Sequence, residues 1–286
     1  MTPHPLPESL SLGPVRLRVA DAGRALGFYR DLLGLEVTDD TPDRLGLGAG
    51  GETLLELEID AAARPKPRGS TGLFHAAILL PERNDLAATV ERLRGAGARF
   101  GASDHLVSEA LYLWDPDGNG IEIYRDRPRS EWRWQGGRVA MDTIPLNIPD
   151  LLGKRPPDAG RIMPVGTKIG HVHLQVGDLE AARRFYIETL GFDLVCTYPG
   201  ALFVSAGGYH HHLGLNIWES ADGGPPPKGS VGLVGFEVRL PDEAAIEALA
   251  DRLGAAGIAV ERTGRGFSAL DPWRNRLDFV VAPPAG

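Results

Sequence analysis

Histidine and glutamate side chains in strand-like segments are the residues of this sequence whose types and spacing could do chemistry. His75 lies in one such segment, Glu122 in another, His171 and His173 in a third, and a histidine triplet occupies residues 210–212. Two imidazoles and a carboxylate on neighbouring strands can hold a first-row metal ion and leave one face of it open. A single histidine in a strand is more often structural, so the inference depends on which elements bring these residues together.

Those elements occur in an internal repeat, which is the first pattern to search for in a chain of this length. Residues 15–21 (VRLRVAD) match residues 172–178 (VHLQVGD), and an amphipathic stretch follows each and ends in Leu-Gly at Gly34 and Gly191. Glycine suits the left-handed position just after a helix. A second block, residues 69–73 (GSTGL), recurs as residues 229–233 (GSVGL). The repeats therefore predict two similar halves.

Each half contains the same series of elements twice. The pattern is a strand, a helix and about three short strands, over approximate modules 12–60, 70–127, 167–219 and 229–282. Residues 1–127 and 167–286 form the two predicted domains, and the Pro- and Gly-rich residues 128–166 form a linker. The fold class is α+β. One module cannot bury both faces of its sheet, so we expect the modules to pair.

Composition narrows the classes of function. The 286 residues carry a net charge of -8, which argues against a general nucleic-acid or anionic-membrane surface. No apolar stretch approaches the roughly 20 residues of a membrane helix, and the N-terminal residues lack the pattern of a secretory signal. The single cysteine, Cys196, fits a reducing compartment. We expect a cytoplasmic protein with no nucleic-acid or membrane partner.

Taken together, the segments resemble the vicinal oxygen chelate superfamily, which includes glyoxalase I, bleomycin-resistance proteins and extradiol dioxygenases. Two-domain proteins of the catechol 2,3-dioxygenase type are the most similar group. The resemblance covers nearly the whole chain, and four segments carry it: residues 72–75 (GLFH), 103–124, 170–173 (GHVH) and 206–218. It implies four βαβββ modules paired into two open, incomplete β-barrels.

The resemblance also implies where metal ligands lie, in the first and last strands of the paired modules. A complete set is present only as His75 and Glu122 of module two with His171 of module three. Module two must then pair with module three across the linker, and modules one and four form a second, metal-free barrel. The alternative is a homodimer in which modules two and three of different subunits meet. The corresponding family positions hold Pro14, His75, His171 and Gly235 in first strands, and Glu122 and Asp278 in last strands.

Two further residues correspond to catalytic positions of the ring-cleaving relatives. The segment His210-His211-His212-Leu213 resembles a His-His-x-Leu motif and implies that His211 is the acid/base. Strand alternation would put its two neighbours on the opposite face, and a register error of one residue would bring His212 to the site instead. Tyr112 occupies the position of a tyrosine that hydrogen-bonds the substrate oxygen. A polar strand end and ordinary packing are the structural alternatives for these residues.

Other side chains are candidates for supporting positions. His173 shares a strand face with His171 and is either a neighbour of the metal or an alternative ligand. His105 is a candidate pocket residue, and His212 is a third candidate neighbour of the site. For Trp114, Trp132 and Trp134 we expect core packing rather than cavity lining.

The implied function is extradiol cleavage of a catechol-like aromatic diol by O2. Fe(II) is the expected metal and Mn(II) the alternative, because both suit this ligand set. A glyoxalase-type isomerase or lyase is the second hypothesis, although it commonly uses a fourth protein ligand. A non-catalytic small-molecule binder of the same superfamily is the third, although such proteins have generally lost the ligands.

Overall fold

The structure, a computed structural model, describes residues 5–153 and 162–283, which form two long curled sheets, a short hairpin and five helices. The strands are β1 (Ser11–Val19), β2 (Glu36–Thr41), β3 (Arg44–Ala49), β4 (Glu52–Ile59), β5 (Gly72–Leu79), β6 (Gly101–Asp104), β7 (Ser108–Trp114), β8 (Gly120–Asp126), β9 (Trp134–Gln135), β10 (Arg138–Val139), β11 (Ile144–Pro145), β12 (Lys168–Gln175), β13 (Asp193–Tyr198), β14 (Ala201–Ser205), β15 (Leu213–Asn216), β16 (Gly232–Leu240), β17 (Val260–Thr263), β18 (Gly266–Leu270) and β19 (Arg276–Val281). The helices are α1 (Ala22–Leu26), α2 (Arg83–Gly95), α3 (Ile148–Gly153), α4 (Leu179–Ala182) and α5 (Glu243–Ala255), and π-helical turns at Gly27–Leu32 and Arg183–Thr189 continue α1 and α4.

Each long sheet combines strands from both halves of the chain. One sheet has the order β17-β18-β19-β16-β1-β4-β3-β2, and so joins modules four and one. The other has the order β11-β6-β7-β8-β5-β12-β15-β14-β13, and so joins modules two and three. The predicted pairing of module two with module three is confirmed, and it occurs within a single chain.

The helices cover these sheets with one apolar face each. Leu86, Val90 and Leu93 of α2 are fully buried, at the three- and four-residue spacing of one helical stripe. The amphipathic stretches that precede Gly34 and Gly191 are helical, and each widens from a short α-helix into a π-helical turn. Both glycines have left-handed backbone conformations, with φ of 85° and 89°, as predicted for a position after a helix end.

A buried tyrosine–aspartate contact ties consecutive modules together. The Tyr29 hydroxyl of module one donates to the Asp115 carboxylate of module two over 2.8 Å, and Tyr186 donates to Asp271 over the same distance. The main chain and side chain of Asn119 also donate to Asp115. The sheets therefore join module two to module three and module four to module one. The tyrosine–aspartate contacts join module one to module two and module three to module four.

The described part of the linker contributes to the second sheet. Strands β9 and β10 form the short hairpin, and β11 pairs with β6 at the sheet edge. Trp132 is buried there, as expected, whereas Trp134 is exposed. Across residues 5–153 and 162–283, the helices are too short or too polar to cross a bilayer.

Candidate metal centre

Three buried side chains on adjacent strands converge at the middle of the second sheet. His75 lies on β5, Glu122 on β8 and His171 on β12. The Glu122 Oε2 atom is 2.9 Å from His75 Nε2 and 3.0 Å from His171 Nε2, and the two Nε2 atoms are 3.2 Å apart. In the described part of the chain, this is the one group of three or more such side chains whose donor atoms cluster tightly enough to hold a metal ion.

Strand register explains the convergence. Ala77 of β5 pairs with Glu122 on one side and with His171 on the other. His75 lies two residues before Ala77, so its side chain projects from the same face of the sheet. Because Ala77 carries only a methyl group, the three larger side chains around it have room to meet above it.

The donor set fits a metal ion with open coordination positions. Donors bound about 2.1 Å from a metal lie about 3.0 Å apart at adjacent octahedral positions and about 3.4 Å apart in a tetrahedron. The observed separations of 2.9–3.2 Å match three neighbouring octahedral positions. Two imidazoles and one carboxylate in this arrangement are the donor set typical of non-haem Fe(II) oxygenases.

The electrostatics of the cluster favour a neutral His171 imidazole beside an ionised Glu122 carboxylate. Burial alone would raise the pKa of Glu122, but His171 and His75 hold that pKa well below its ordinary value. Burial lowers the pKa of His171 to about 4, although Glu122 acts in the opposite direction. Neutral imidazole and ionised carboxylate are the protonation states in which these groups bind metals.

Packing, rather than a second hydrogen bond, orients the His171 ring. Its centroid lies 4.1 Å from the His211 ring and 4.8 Å from the Tyr124 ring. The buried His171 Nδ1 atom has no hydrogen-bond partner among the described residues. The ring therefore keeps its Nε2 atom directed at Glu122 and His75 because the His211 and Tyr124 rings pack against it.

Tyr112 and His105 form a hydrogen-bonded pair beside this cluster. The Tyr112 hydroxyl lies 2.5 Å from His105 Nε2, and His105 Nδ1 lies 2.8 Å from the Asp142 carbonyl oxygen. A nitrogen that faces a carbonyl must carry the proton, so His105 Nε2 accepts from the tyrosine. Burial and the charge of Glu122 raise the pKa of Tyr112 well above its ordinary value. Tyr112 therefore stays protonated at neutral pH.

The histidine triplet lies in the loop that leads into β15, not in a strand as the alternation argument assumed. His211 nevertheless lines the cavity over the cluster, while the other two histidines have different partners. His210 Nε2 lies 2.8 Å from the Asp126 carboxylate, and His212 Nδ1 lies 3.1 Å from Ser205 Oγ. The strand alternation behind the prediction of opposite faces is therefore wrong, although His211 lines the cavity and its two neighbours do not.

A hydrogen-bond chain behind His211 fixes its tautomer. When His210 is neutral and donates a hydrogen bond from Nε2 to the Asp126 carboxylate, its Nδ1 atom has a free lone pair. That atom lies 2.7 Å from His211 Nδ1, which must therefore donate. The remaining nitrogen, His211 Nε2, is left with a free lone pair on a residue that lines the cavity. Burial and the neighbouring histidines hold the pKa of His211 well below its ordinary value.

His173 lies beside the cluster but is not one of its donors. The His173 ring centroid lies 4.9 Å from that of His75, but its Nε2 accepts a hydrogen bond from Asn216 over 3.0 Å and is not a donor of the cluster. Trp114 does not pack in the core: it is 67% exposed at the end of β7 and lines the cavity, so that expectation is wrong. Sequence patterns gave no signal for Asp126 or Asn216, because neither belongs to a histidine motif.

The cluster lies at the base of a cavity of about 440 Å³. This volume falls within the range of about 300–1,000 Å³ that is usual for small-molecule sites. Beyond the polar residues already named, the wall is mainly aromatic and aliphatic. The arrangement can hold a metal ion, present a free imidazole nitrogen to a ligand and offer a tyrosine hydroxyl beside it.

Comparisons with known proteins match both the fold and the full length. The chain is 44% identical over 280 residues to a catechol-2,3-dioxygenase from Bacillus subtilis (strain 168), covering 96% of this chain and 98% of that protein. A solved structure from Bacillus subtilis subsp. subtilis str. 168 superposes with a TM-score of 0.71 at 15% identity and covers 99% of this chain and 87% of that one. Glyoxalase I from Zea mays superposes with a TM-score of 0.58 at 19% identity and covers 96% of this chain and 92% of that one.

A family model matches residues 11–123 and 168–279, which together contain all four modules. The two matched segments coincide with the two halves of the sequence repeat. The similar structures share the curled sheets on which the cluster is built. On this family match and the similarity along almost its whole length, the chain belongs to the Glyoxalase/Bleomycin resistance protein/Dioxygenase superfamily.

Proposed function

We propose that the protein is an extradiol ring-cleaving dioxygenase that opens a catechol-like aromatic diol with O2. The observation that carries this proposal is the convergence of His75, Glu122 and His171 at the base of a cavity that His211 and Tyr112 also line. The similarity to a Bacillus subtilis catechol-2,3-dioxygenase along almost the whole chain supports it.

The three converging side chains would hold Fe(II), with Mn(II) as the alternative. A bound ion of this kind supplies a positively charged face on which the diol oxygens and O2 are brought together. The reaction breaks the ring carbon–carbon bond next to the diol and incorporates both atoms of O2 into the ring-opened product. No external reductant is consumed, because the diol provides the electrons.

The surrounding residues move and hold protons. His211 accepts a diol proton at Nε2, and the chain through His210 to Asp126 stabilises the imidazolium that results. Tyr112 hydrogen-bonds the other substrate oxygen, with His105 behind it as a proton partner.

A backbone position argues against the glyoxalase-type alternative, which would need a fourth ligand from module three. Gly214 pairs with His173 as Glu122 pairs with Ala77, so Gly214 is the position where module three would present that ligand. A Cβ atom at Gly214 would lie only 2.7 Å from the His173 ring. No side chain fits there unless His173 moves, and that corner of the site stays free of protein ligands.

The complete ligand set argues against a purely non-catalytic binder. A second subunit is not needed to complete the cluster, because both histidines come from one chain. The proposed partners are a small aromatic diol and O2. The single cysteine of the sequence remains the argument for a cytoplasmic location.

Isotope-labelled oxygen tests the proposed reaction. Protein loaded with Fe(II) without oxygen and then mixed with catechol and 18O-labelled O2 is expected to yield a ring-opened hydroxymuconic semialdehyde that carries both labelled atoms. The Glu122→Ala variant is expected to yield none. Unchanged catechol, or isomerisation of a glyoxalase-type substrate by the same preparation, would contradict the proposal.

A further inference from the structure

The cavity has two chemically different ends. Its base holds the candidate centre, whereas the wall that leads to the opening is built largely from aromatic and thioether side chains. This outer wall is formed by Phe74, Trp114, Met141, Tyr198, Phe203 and Trp218. A catechol ring alone is much smaller than the drug-sized ligands that cavities of about 300–1,000 Å³ accommodate. A substrate that fills this cavity therefore carries a substituent that extends along the outer wall.

One side of the outer wall is a continuous series of edge-to-face aromatic contacts. Phe74 lies 4.9 Å from His173 and 5.4 Å from Trp218, and Phe203 lies 5.5 Å from His173 and 5.1 Å from His211 (ring centroids). The series begins at His211, the proposed proton acceptor, and ends at Trp218, which is 45% exposed at the opening. It forms an apolar surface from the candidate centre to the solvent.

This surface is fixed before any ligand binds. The Trp218 indole donates to the Pro199 carbonyl oxygen over 2.8 Å, and its backbone N–H donates to Asn216 Oδ1 over 3.2 Å. Asn216 in turn donates to His173 Nε2 over 3.0 Å. Side chains that are already held in place lose little conformational entropy when a ligand packs against them.

The cavity offers no cation to a charged substituent. No lysine or arginine lines it in the part of the chain that the structure describes, and its two carboxylates are those of Glu122 and Asp142. Because His173 Nε2 accepts a hydrogen bond, that imidazole is not doubly protonated. Arg138 is close enough to Cys196 to act on its thiol electrostatically, but it does not line the cavity. A carboxylate placed here would lose hydration without gaining an ion pair.

We propose that the site takes neutral catechols with a bulky apolar substituent, which packs along Phe74, Phe203 and Trp218, and that it discriminates against catechols with a carboxylate side chain. This substrate class rests on the proposed function, since it assumes that the diol binds at the cluster of His75, Glu122 and His171. The discrimination comes from the aromatic surface and from the lack of a lysine or arginine among the described residues that line the cavity.

The test compares tert-butylcatechol with dihydroxyphenylacetate, which have side chains of similar size and different charge. Dissociation constants are measured by calorimetry on Fe(II)-loaded protein without oxygen, and kcat/KM is measured in air. We expect tert-butylcatechol to bind at least about tenfold more tightly, because the carboxylate of dihydroxyphenylacetate would lose hydration here without gaining an ion pair. Equal binding of the two compounds, or tighter binding of the carboxylate, would overturn the proposal.

Substitutions of Trp218 test whether the preference for the neutral compound depends on the outer wall. Trp218→Ala is expected to reduce the binding ratio of the two compounds several-fold, and Trp218→Lys is expected to reverse the preference. Trp134→Ala is the matched control, because Trp134 is exposed and does not line the cavity. An unchanged ratio in both Trp218 variants would overturn the assignment to this wall.

The two measurements separate this inference from the proposed function. Tight anaerobic binding of tert-butylcatechol without ring cleavage in air would support the substrate class and contradict the dioxygenase activity. Equal affinity for the two compounds, with both cleaved equally efficiently in air, would support the dioxygenase activity and contradict the substrate class.

Discussion

At the scale of single residues, the site depends on hydrogen bonds that fix where protons are. The Asp126–His210–His211 chain leaves a lone pair on His211 Nε2, and the contact of His105 with a carbonyl oxygen directs the Tyr112 proton towards His105. Proton acceptors of this kind are usually worth two to four orders of magnitude in rate. Each of these roles predicts a separate defect.

Loss of the His211 imidazole should abolish proton transfer without abolishing metal binding. We expect His211→Ala to retain Fe(II) and to lose about 10²–10⁴-fold in kcat with catechol. His212→Ala is the matched control, because it removes a neighbouring imidazole that does not line the cavity, and it should lower turnover far less. Iron content by mass spectrometry and steady-state kinetics check both variants. Equal losses in the two variants would move the acid/base role away from His211.

Lys66 should leave a signature in the pH dependence of stability. Burial lowers the pKa of its ammonium to about 8, against an ordinary value of 10.5. Between those pH values the unfolded chain binds more protons than the folded chain, so this residue makes the free energy of unfolding rise with pH. Lys66→Met removes that contribution. Relative to wild type, the free energy of unfolding of the variant should therefore fall as the pH rises through this range. The slope of the difference should be at most about 1.4 kcal/mol per pH unit.

Urea titrations at several pH values check this slope. Lys228→Met, a substitution at an exposed lysine, serves as the control. Parallel pH profiles for wild type and Lys66→Met would show that Lys66 contributes no such term.

The repeat and the family resemblance predicted that His75, Glu122 and His171 would converge, but not which residues lie behind them. His75, Glu122 and His171 occupy repeat-related strand positions, so a single chain carries enough information to align them. Asp126 contacts His210 across 84 positions and Asn216 contacts His173 across 43, and neither contact follows any local periodicity. The expectation for Trp114 was wrong because the last residue of a strand can project beyond the sheet into the mouth of a cavity.

At the scale of elements, the pairing of strands around His173 keeps one corner of the site empty. Gly214→Ala would place a Cβ atom against the His173 ring, and we expect it to cost about 1–3 kcal/mol in the free energy of unfolding. The same substitution in a His173→Ala background should cost less, because the obstructing ring is gone. Gly95→Ala at the end of α2 is the control, since a Cβ atom there meets open space. Identical costs in both backgrounds would contradict the contact.

The tyrosine–aspartate contacts hold consecutive modules together. Tyr29→Phe and Tyr186→Phe each leave a buried carboxylate with one donor fewer, and each should lower the free energy of unfolding by about 1–3 kcal/mol. Tyr198→Phe, on a half-exposed side chain, should cost less than about 0.5 kcal/mol. Thermal or urea unfolding checks all three. If Tyr198→Phe lowers the free energy of unfolding as much as the other two substitutions do, the tyrosine–aspartate contacts have no special role in stability.

At the scale of the whole molecule, the described residues of the duplicated modules form one candidate centre and, in the other sheet, an equivalent position that ion pairs occupy. Asp278 occupies in the first sheet the position that Glu122 occupies in the second, but it is ion-paired with Arg16 and Arg276. The sequence predicted that modules one and four lack a metal site, because Pro14 and Gly235 stand where histidines would be needed. It gave no sign that arginine side chains would fill the equivalent space.

The crossed pairing of modules makes both halves of the chain necessary for the site. His75 and Glu122 come from the first half and His171 from the second, although the two sheets could in principle have formed within each half. The missing histidines of modules one and four made the crossed arrangement predictable. The side chains of the outer wall were not predictable, because they come from β5, β7, β13, β14 and two loops whose relative placement depends on the assembled sheet.

The most direct test of this account is the number of Fe(II) ions per chain after anaerobic loading and removal of free metal. Wild-type protein is expected to bind about one ion. His75→Ala and His171→Ala, which alter different halves of the chain, are each expected to bind almost none, while Asp278→Ala, the matched substitution in the other sheet, should bind as wild type does. Stoichiometric iron in both histidine variants, or none in wild type, would contradict a metal centre shared between the halves.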